Sequence, residues 1–193
     1  MNNWSFPTRL LHFSIAATVS VQLFVSLVME RPEPNEHVSV VAAFFWEVHE
    51  SVGVIAVLAI LLHWLWLFKA KDTGFHHLFP WGKAEREQIL KDINQVKNKQ
   101  SLIGGPGSAG LVGLVHGLGF LAVTGMAITG ALLFITLPEG DVPVGVFAKG
   151  VKEVHESISS LVWIYWLGHV GMALWHKRIG DDTVSKMFNL KRP

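Results

Sequence analysis

A six-residue motif occurs twice in this chain, once as EVHESV and once as EVHESI. Each copy contains a histidine, and another histidine follows that one fourteen residues later, which gives His49 with His63 and His155 with His169. On a helix, fourteen residues span about 21 Å and return to within about 40° of the same face. The pattern therefore predicts two helices that each carry two imidazoles on one face, at two depths.

The composition is typical of a small integral membrane protein. Half of the 193 residues are hydrophobic and 16% are charged. The formal net charge is +1, so no strong basic field indicates a nucleic-acid partner. The chain has no cysteine, which excludes disulfides, thiolate zinc sites, iron–sulfur clusters and covalent haem attachment. Any haem in this protein must therefore be of the b type.

Four segments are apolar over a length that can cross about 30 Å of hydrocarbon, which takes about 20 residues. They cover residues of about 10–29, 38–68, 109–137 and 154–175. The third segment is rich in glycine, which lets helices or a flat cofactor approach closely. We therefore predict an all-α fold, a four-helix transmembrane bundle that forms a single membrane domain over residues 1–193.

The segment of about 69–107, between the second and third spans, is polar and rich in Lys and Arg. Between Lys83 and Lys99 its apolar residues have helical spacing, which indicates an amphipathic helix on the membrane surface. These apolar residues are Ile89, Leu90, Ile93 and Val96. Because this segment and the tail after Trp175 are basic, we expect both, and both chain termini, to be cytoplasmic.

This topology places His49 and His155 near the outer ends of the second and fourth spans. Ionisable residues inside a span are rare and usually functional. A b-type haem takes two neutral imidazoles, which facing helices of a bundle can supply. The sequence therefore predicts an outer haem held by His49 and His155.

The inner side of the predicted bundle has more histidines than one haem needs. His12, His63, His116 and His169 all fall at a similar depth. Spacing alone favours His63 with His169, since that pair would mirror the outer one. The alternative for His116 is a core histidine that is hydrogen-bonded to a backbone carbonyl.

Short motifs in three of the spans together resemble those of one known family. They are PTRLLHF at residues 7–13, Val48-His49 with Gly53, and His155 and His169 followed by Ala173-Leu174-Trp175. With them, essentially the whole chain resembles the prokaryotic cytochrome b561 family, which includes the cytochrome b subunits of formate dehydrogenases and nickel–iron hydrogenases. The resemblance implies two b haems, the outer one held by His49 and His155.

For the inner haem, the resemblance implies His12 and His169 as ligands, which differs from the result of spacing alone. His63 lies where some relatives carry an arginine, so it is expected to contact a haem propionate or a quinone. Arg9, one turn from His12, is a second propionate candidate, and its alternative is an interface arginine that reaches toward water.

In the formate dehydrogenase type of the family, a quinone binds beside the inner haem, near the start of the third span. The matching stretch here contains Ser108 but lacks the polar amide residue of that type. Ser108, His116 and His63 are therefore the candidate quinone contacts.

The resemblance implies electron transfer across the bacterial cytoplasmic (inner) membrane, between the quinone pool and a periplasmic redox partner. A c-type cytochrome or a redox-enzyme subunit would fit that partner. One alternative is a stand-alone oxidoreductase that oxidises superoxide and reduces quinone, suggested by Lys149 and Lys152 before His155. The other is a histidine-based metal or proton transporter. Whether the chain is an electron-transfer subunit or an enzyme in its own right stays open.

Overall fold

A computed structural model describes residues 4–32, 37–70, 74–98, 110–137 and 145–191, and all regular structure in these residues is helical. In chain order the helices are α1 (Phe6–Val25), α2 (Val40–Leu67), α3 (Phe75–Leu78), α4 (Lys83–Lys97), α5 (Leu111–Thr136), α6 (Val146–Arg178) and α7 (Thr183–Phe188). The prediction of an all-α fold is confirmed.

Four of these helices are long and apolar enough to cross a membrane, namely α1, α2, α5 and α6, with 20, 28, 26 and 33 residues. Within their most apolar windows, between 6% and 22% of the residues are buried inside the protein. Most of these apolar residues therefore need another apolar environment, which hydrocarbon supplies. The predicted set of four spans is confirmed.

The predicted helix bounds differ most for the fourth span. We expected it to begin near Val154, but α6 begins at Val146, two turns earlier. Charged residues such as Lys152 lower the hydropathy of this stretch, yet lysine is a good helix former. At the other end of the chain, α1 begins at Phe6 and carries Pro7 in its first turn, where the missing N–H costs nothing.

The segment between α2 and α5 contains the short helix α3 and the longer helix α4. Of the surface segment predicted at 69–107, residues 71–73 and 99–107 lie outside the described residues. A helix does form in its middle, but Leu90 and Val96 on the predicted apolar face are 62% and 50% exposed. The position of α4 at the membrane surface stays a prediction.

The face of α4 that is buried centres on a carboxylate. Asp92 is 8% exposed, and its side chain accepts hydrogen bonds from Gln88 Nε2 at 2.7 Å and from the backbone N–H of Leu111 at 2.8 Å. Because Leu111 is the first residue of α5, the carboxylate lies where a helix N-terminus favours negative charge. Gly110, directly before Leu111, has a φ of 130°, and a side chain at this position would collide with the Asp92 carboxylate. Asp92 thus fastens α4 to α5.

The chain divides into two compact units. The first unit contains residues 1–13, 62–121 and 167–193, and the second contains residues 14–61 and 122–166. Each of the four long helices contributes one part to the first unit and another part to the second.

In the first unit, α3 packs directly against α5. A side chain at Gly117 would collide with the carbonyl oxygen of Leu78, so the two backbones touch at this point. Beside this contact, the indole of Trp64 stacks on Phe79 with ring centroids 5.9 Å apart and planes 7° apart. Gly117 follows His116, so this close packing supports the helical turn that carries a candidate site residue.

At the start of α7 in the same unit, Asp181 accepts hydrogen bonds from the hydroxyl and the backbone N–H of Thr183, at 2.6 and 2.8 Å. The hydrogen bond from the Thr183 hydroxyl, helped by the nearby His176, lowers the pKa of the Asp181 carboxyl. The Asp181 carboxylate thus satisfies the first free N–H of α7.

In the second unit, aromatic side chains join α1 to α6. The indole N–H of Trp166 donates to Ser20 Oγ at 2.9 Å. Phe24 contacts Trp163 and Trp166 edge-on, with centroid distances of 5.7 and 5.5 Å. These contacts satisfy a polar N–H that would otherwise be unpaired between apolar helices.

Candidate functional site

The second unit brings His49 of α2 and His155 of α6 together. Their ring centroids lie 6.5 Å apart, and the ring planes are nearly perpendicular, at 84°. Two imidazoles that share one metal ion have centroids about 6 Å apart, because each metal–nitrogen bond is about 2 Å long. The pair therefore has the separation of two axial ligands.

The two imidazoles of this pair differ in how they are held. His155 Nδ1 lies 2.7 Å from Thr129 Oγ1, and its Cε1 lies 3.3 Å from the position that a Cβ on Gly130 would take. His49 stacks on Trp46 with centroids 6.3 Å apart, and among the described residues its buried Nδ1 has no hydrogen-bond partner. One ring is thus fixed by a polar contact and the other by packing.

Gln22 of α1 supports the backbone beside His49. Its Nε2 donates to the carbonyl oxygen of His49 at 2.7 Å. A Cβ on Gly53 would come within 2.9 Å of that same Nε2, so the missing side chain makes room for the amide. The Gln22 Oε1 is buried and has no partner in the described part of the chain. α1 is thereby tied to the turn of α2 that carries His49.

The first unit brings His12 of α1 and His169 of α6 together. Their ring centroids are 6.3 Å apart and their planes are inclined at 54°. The buried Nδ1 of His12 has no hydrogen-bond partner within the described residues. Phe188 of α7 contacts the His12 ring edge-on at 5.7 Å. This pair also has the separation of two axial ligands.

Two further histidines of the first unit have different surroundings. His116 lies 5.1 Å from His169 between ring centroids, and its Nδ1–H donates to the carbonyl oxygen of Val112 at 2.7 Å. That hydrogen bond is the one expected of a core histidine. His63 packs against Phe120 at 4.8 Å, and its buried Nδ1 has no partner among the residues described.

The guanidinium of Arg9 is buried, 6% exposed, and faces the C-terminal segment. One terminal nitrogen donates to the carbonyl oxygen of Asn189, and the other donates to that of Lys191 at 3.1 Å. Arg9 therefore fastens residues 189–191 to α1, one turn from His12. Its Nε is buried without a partner in the described residues. The other predicted contact, Ser108, lies outside the described residues.

The site residues predicted from the sequence do not include Gln22, Thr129 or Phe188. Gln22 and Thr129 carried a usable signal, because each is a polar side chain inside an apolar span and such groups need partners. Phe188 carried none, because one phenylalanine in a basic tail does not reveal which ring it packs against.

No group of three or more His, Cys, Asp and Glu side chains that could hold a metal ion occurs in the described residues. A haem needs only two protein ligands, because the macrocycle supplies the others. Both histidine pairs have the ring separation of two imidazoles that bind one metal ion. The residues present therefore fit a haem in each unit, which the two imidazoles of that unit would hold.

Comparison with known proteins gave one result. Residues 3–190, nearly the whole chain, match the family model described as prokaryotic cytochrome b561. No curated protein and no solved structure matches the chain.

Proposed function

Because the chain belongs to the prokaryotic cytochrome b561 family, we propose that it is a di-haem cytochrome that carries electrons across the bacterial cytoplasmic membrane. The family implies b-type haem and electron transfer. The electrons pass between a redox partner on the outer face and the quinone pool. The observation that carries the proposal is one imidazole pair in each compact unit, with ring centroids 6.5 and 6.3 Å apart.

His49 and His155 hold the haem of the second unit in this proposal. Bound haem supplies the reversible one-electron couple of iron, which no side chain of this cysteine-free chain offers. The protein contributes the ligands and their orientation. The Gln22 amide steadies the backbone of His49, and Thr129 contacts the ring of His155.

His12 and His169 hold the haem of the first unit. The 6.3 Å between the ring centroids of His12 and His169 supports this choice over His63 with His169. α6 then supplies one ligand to each haem, from positions fourteen residues apart on one continuous helix.

The quinone end of the relay belongs to the first unit in this proposal. The buried Nδ1 of His63 has no partner among the described residues, so it can form a hydrogen bond with a quinone oxygen. His116 is the second candidate through its Nε2, because its Nδ1–H is occupied by Val112. A periplasmic c-type cytochrome or a redox-enzyme subunit is the partner that fits the other end.

The superoxide alternative requires a cationic approach to the second-unit haem. Lys149 and Lys152 are the side chains expected to provide it. Lys152 lies 3.9 Å from the Glu156 carboxylate, and both of these side chains are more than 60% exposed. The Glu156 charge partly offsets that of Lys152, so we retain a protein donor as the first proposal and the anionic radical as the alternative. Superoxide-driven quinone reduction by the purified protein would reverse this preference.

Haem counting tests the proposal. We expect the purified wild-type protein to contain two b haems per chain by pyridine haemochrome assay. His12→Ala should lose one haem, because the first-unit iron loses an axial ligand, and His63→Ala should keep both. His76→Ala, at an exposed position, is the matched control.

A wild-type chain with fewer than two haems would overturn the di-haem proposal. Loss of one haem in the His63 variant but not in the His12 variant would replace His12 by His63 as the ligand and leave the rest intact.

A further inference from the structure

The hydroxyl of Thr129 on α5 has three neighbours within hydrogen-bond distance but only one proton to donate. Its Oγ1 lies 2.8 Å from the carbonyl oxygen of Gly125, 3.2 Å from that of Met126 and 2.7 Å from His155 Nδ1. The hydroxyl has a single proton, and carbonyl oxygens can only accept. Once that proton is donated to a carbonyl one turn earlier, Oγ1 can only accept from His155. The ring nitrogen Nδ1 of His155 must then carry a proton and donate it.

We propose that Thr129 is a positioning residue that holds His155 as its Nδ1–H tautomer and so reserves Nε2 for the haem iron. The proposal rests on the proposed function, since it takes His155 as a ligand. In a neutral imidazole one nitrogen carries the proton and the other carries the lone pair that binds a metal. A hydrogen bond at the first nitrogen therefore determines which nitrogen faces the iron.

The surroundings of Thr129 make this contact specific. Thr129 is 9% exposed, so water does not compete freely for its hydroxyl. The next residue, Gly130, leaves space for the ring, because a Cβ there would come within 3.3 Å of His155 Cε1. On one edge of the His155 imidazole, α5 thus provides the Thr129 hydroxyl as an acceptor and, at Gly130, space for the ring. Together they fix the tautomer and the orientation of His155.

Thr129 also makes the two ligands of this haem unequal. His49 Nδ1 has no hydrogen-bond partner within the described residues, whereas His155 Nδ1 donates to Thr129. A ligand imidazole that donates from its other nitrogen is more basic and gives more electron density to the metal. The Thr129 contact therefore stabilises the oxidised iron and lowers the reduction potential of this haem alone.

Potentiometric titration of the purified protein tests the inference. Thr129→Val keeps the shape of the side chain but removes the acceptor. We expect the midpoint potential of one haem to rise by about 59 mV, a roughly tenfold change for a one-electron couple, while the other haem is unchanged. The low-spin EPR signal of the same haem should shift with it.

Two further variants separate the hydrogen bond from packing. Thr129→Ser keeps the hydroxyl and should restore the wild-type potential and EPR signal. Thr136→Val removes the same kind of hydroxyl from the same helix and should change neither haem, because within the described residues the Thr136 hydroxyl donates to the Leu132 carbonyl.

The possible outcomes are distinct. A shift, or loss of that haem, in Thr129→Val that Thr129→Ser reverses supports the inference. Two haems with unchanged potentials in Thr129→Val overturn it and leave the proposed function standing, as does an equal change in the Val and Ser variants. A wild-type protein without haem overturns the proposed function, and this assignment with it.

Discussion

The two compact units each contain one imidazole pair, but the pairs differ in what surrounds them. In the second unit, His155 contacts the hydroxyl of Thr129, and His49 is held through its backbone and by an indole. In the first unit, a third imidazole lies 5.1 Å from His169, and Phe188 packs on His12. The second-unit site is defined by few polar contacts, and the first-unit site is crowded with rings.

This difference explains why the sequence assigns the two sites with unequal ease. The second unit offers one imidazole on α2 and one on α6, so the repeated motif leads directly to a pair. The first unit holds four of the candidate histidines, and there spacing favours His63 as the partner of His169 whereas the family resemblance favours His12. In a crowded site, residue type and spacing are insufficient, and the packing decides which rings meet.

The largest expected effect is loss of haem from α6 variants. His155→Ala and His169→Ala should each reduce the haem content from two to one, and each should remove a haem of a different midpoint potential. The physical reason is that each unit loses one of its two axial ligands. Pyridine haemochrome assays with potentiometric titration measure both quantities. His176→Ala, near the end of the same helix, should keep both haems.

If both variants lose the same haem, the two units do not hold separate sites and the comparison between them fails. A double variant that still binds haem would point to ligands other than the two pairs.

A smaller effect, on thermal stability, is expected when glycines of α5 are replaced by alanine. Gly117→Ala puts a methyl group against the rigid Leu78 carbonyl, and overpacking of this kind costs about 1–3 kcal/mol. Gly125→Ala meets only the flexible end of Ile158, at 3.3 Å. We expect the thermal midpoint in detergent to fall by several degrees in the first variant and to change little in the second. Equal thermal midpoints in the two variants would show that α3 can move away from the added methyl group without loss of stability.

The smallest effect concerns the contact between α1 and the C-terminal segment. Arg9→Lys replaces a planar group that donates to two carbonyls by a single ammonium. Loss of one charge-assisted hydrogen bond, about 1.5–3 kcal/mol, should speed hydrogen exchange at residues 189–191 by at least about tenfold. Exchange followed by mass spectrometry measures this, with Arg86→Lys at an exposed position of α4 as the control. An unchanged exchange rate would show that the segment is held by other contacts.

The all-α fold and the four spans were predictable because apolar length alone identifies a helix that can cross a membrane. The helical turns before Val154 were missed because hydropathy identifies residues that suit the bilayer and not residues that form a helix. The helix α6 includes the charged residues before Val154. The histidine pairs were predictable as candidates, since ionisable groups in apolar spans stand out. Their role as haem ligands remains a prediction.

The contacts of these histidines were not predictable from pattern. Arg9 bonds to carbonyls 180 and 182 residues later in the chain, and Thr129 meets a ring 26 residues away. Periodicity describes which residues share a face of one helix, but not which neighbouring helix that face meets. The burial of Asp92 was missed for the same reason, because it depends on the neighbouring helix α5, whose first N–H the carboxylate accepts.

The link from Arg9 to residues 189–191 has a consequence for the order of biosynthesis. Translation makes Arg9 and His12 early, but their partners Asn189 and Phe188 emerge only after all four long helices have been made. The hydrogen bonds of Gln22 and Thr129 to the second-unit pair involve nothing later than His155. During translation, all residues that contact the second-unit pair in this way are therefore made first. The contacts of the first-unit pair and Arg9 with the C-terminal segment can form only after residues 188–191 have been made.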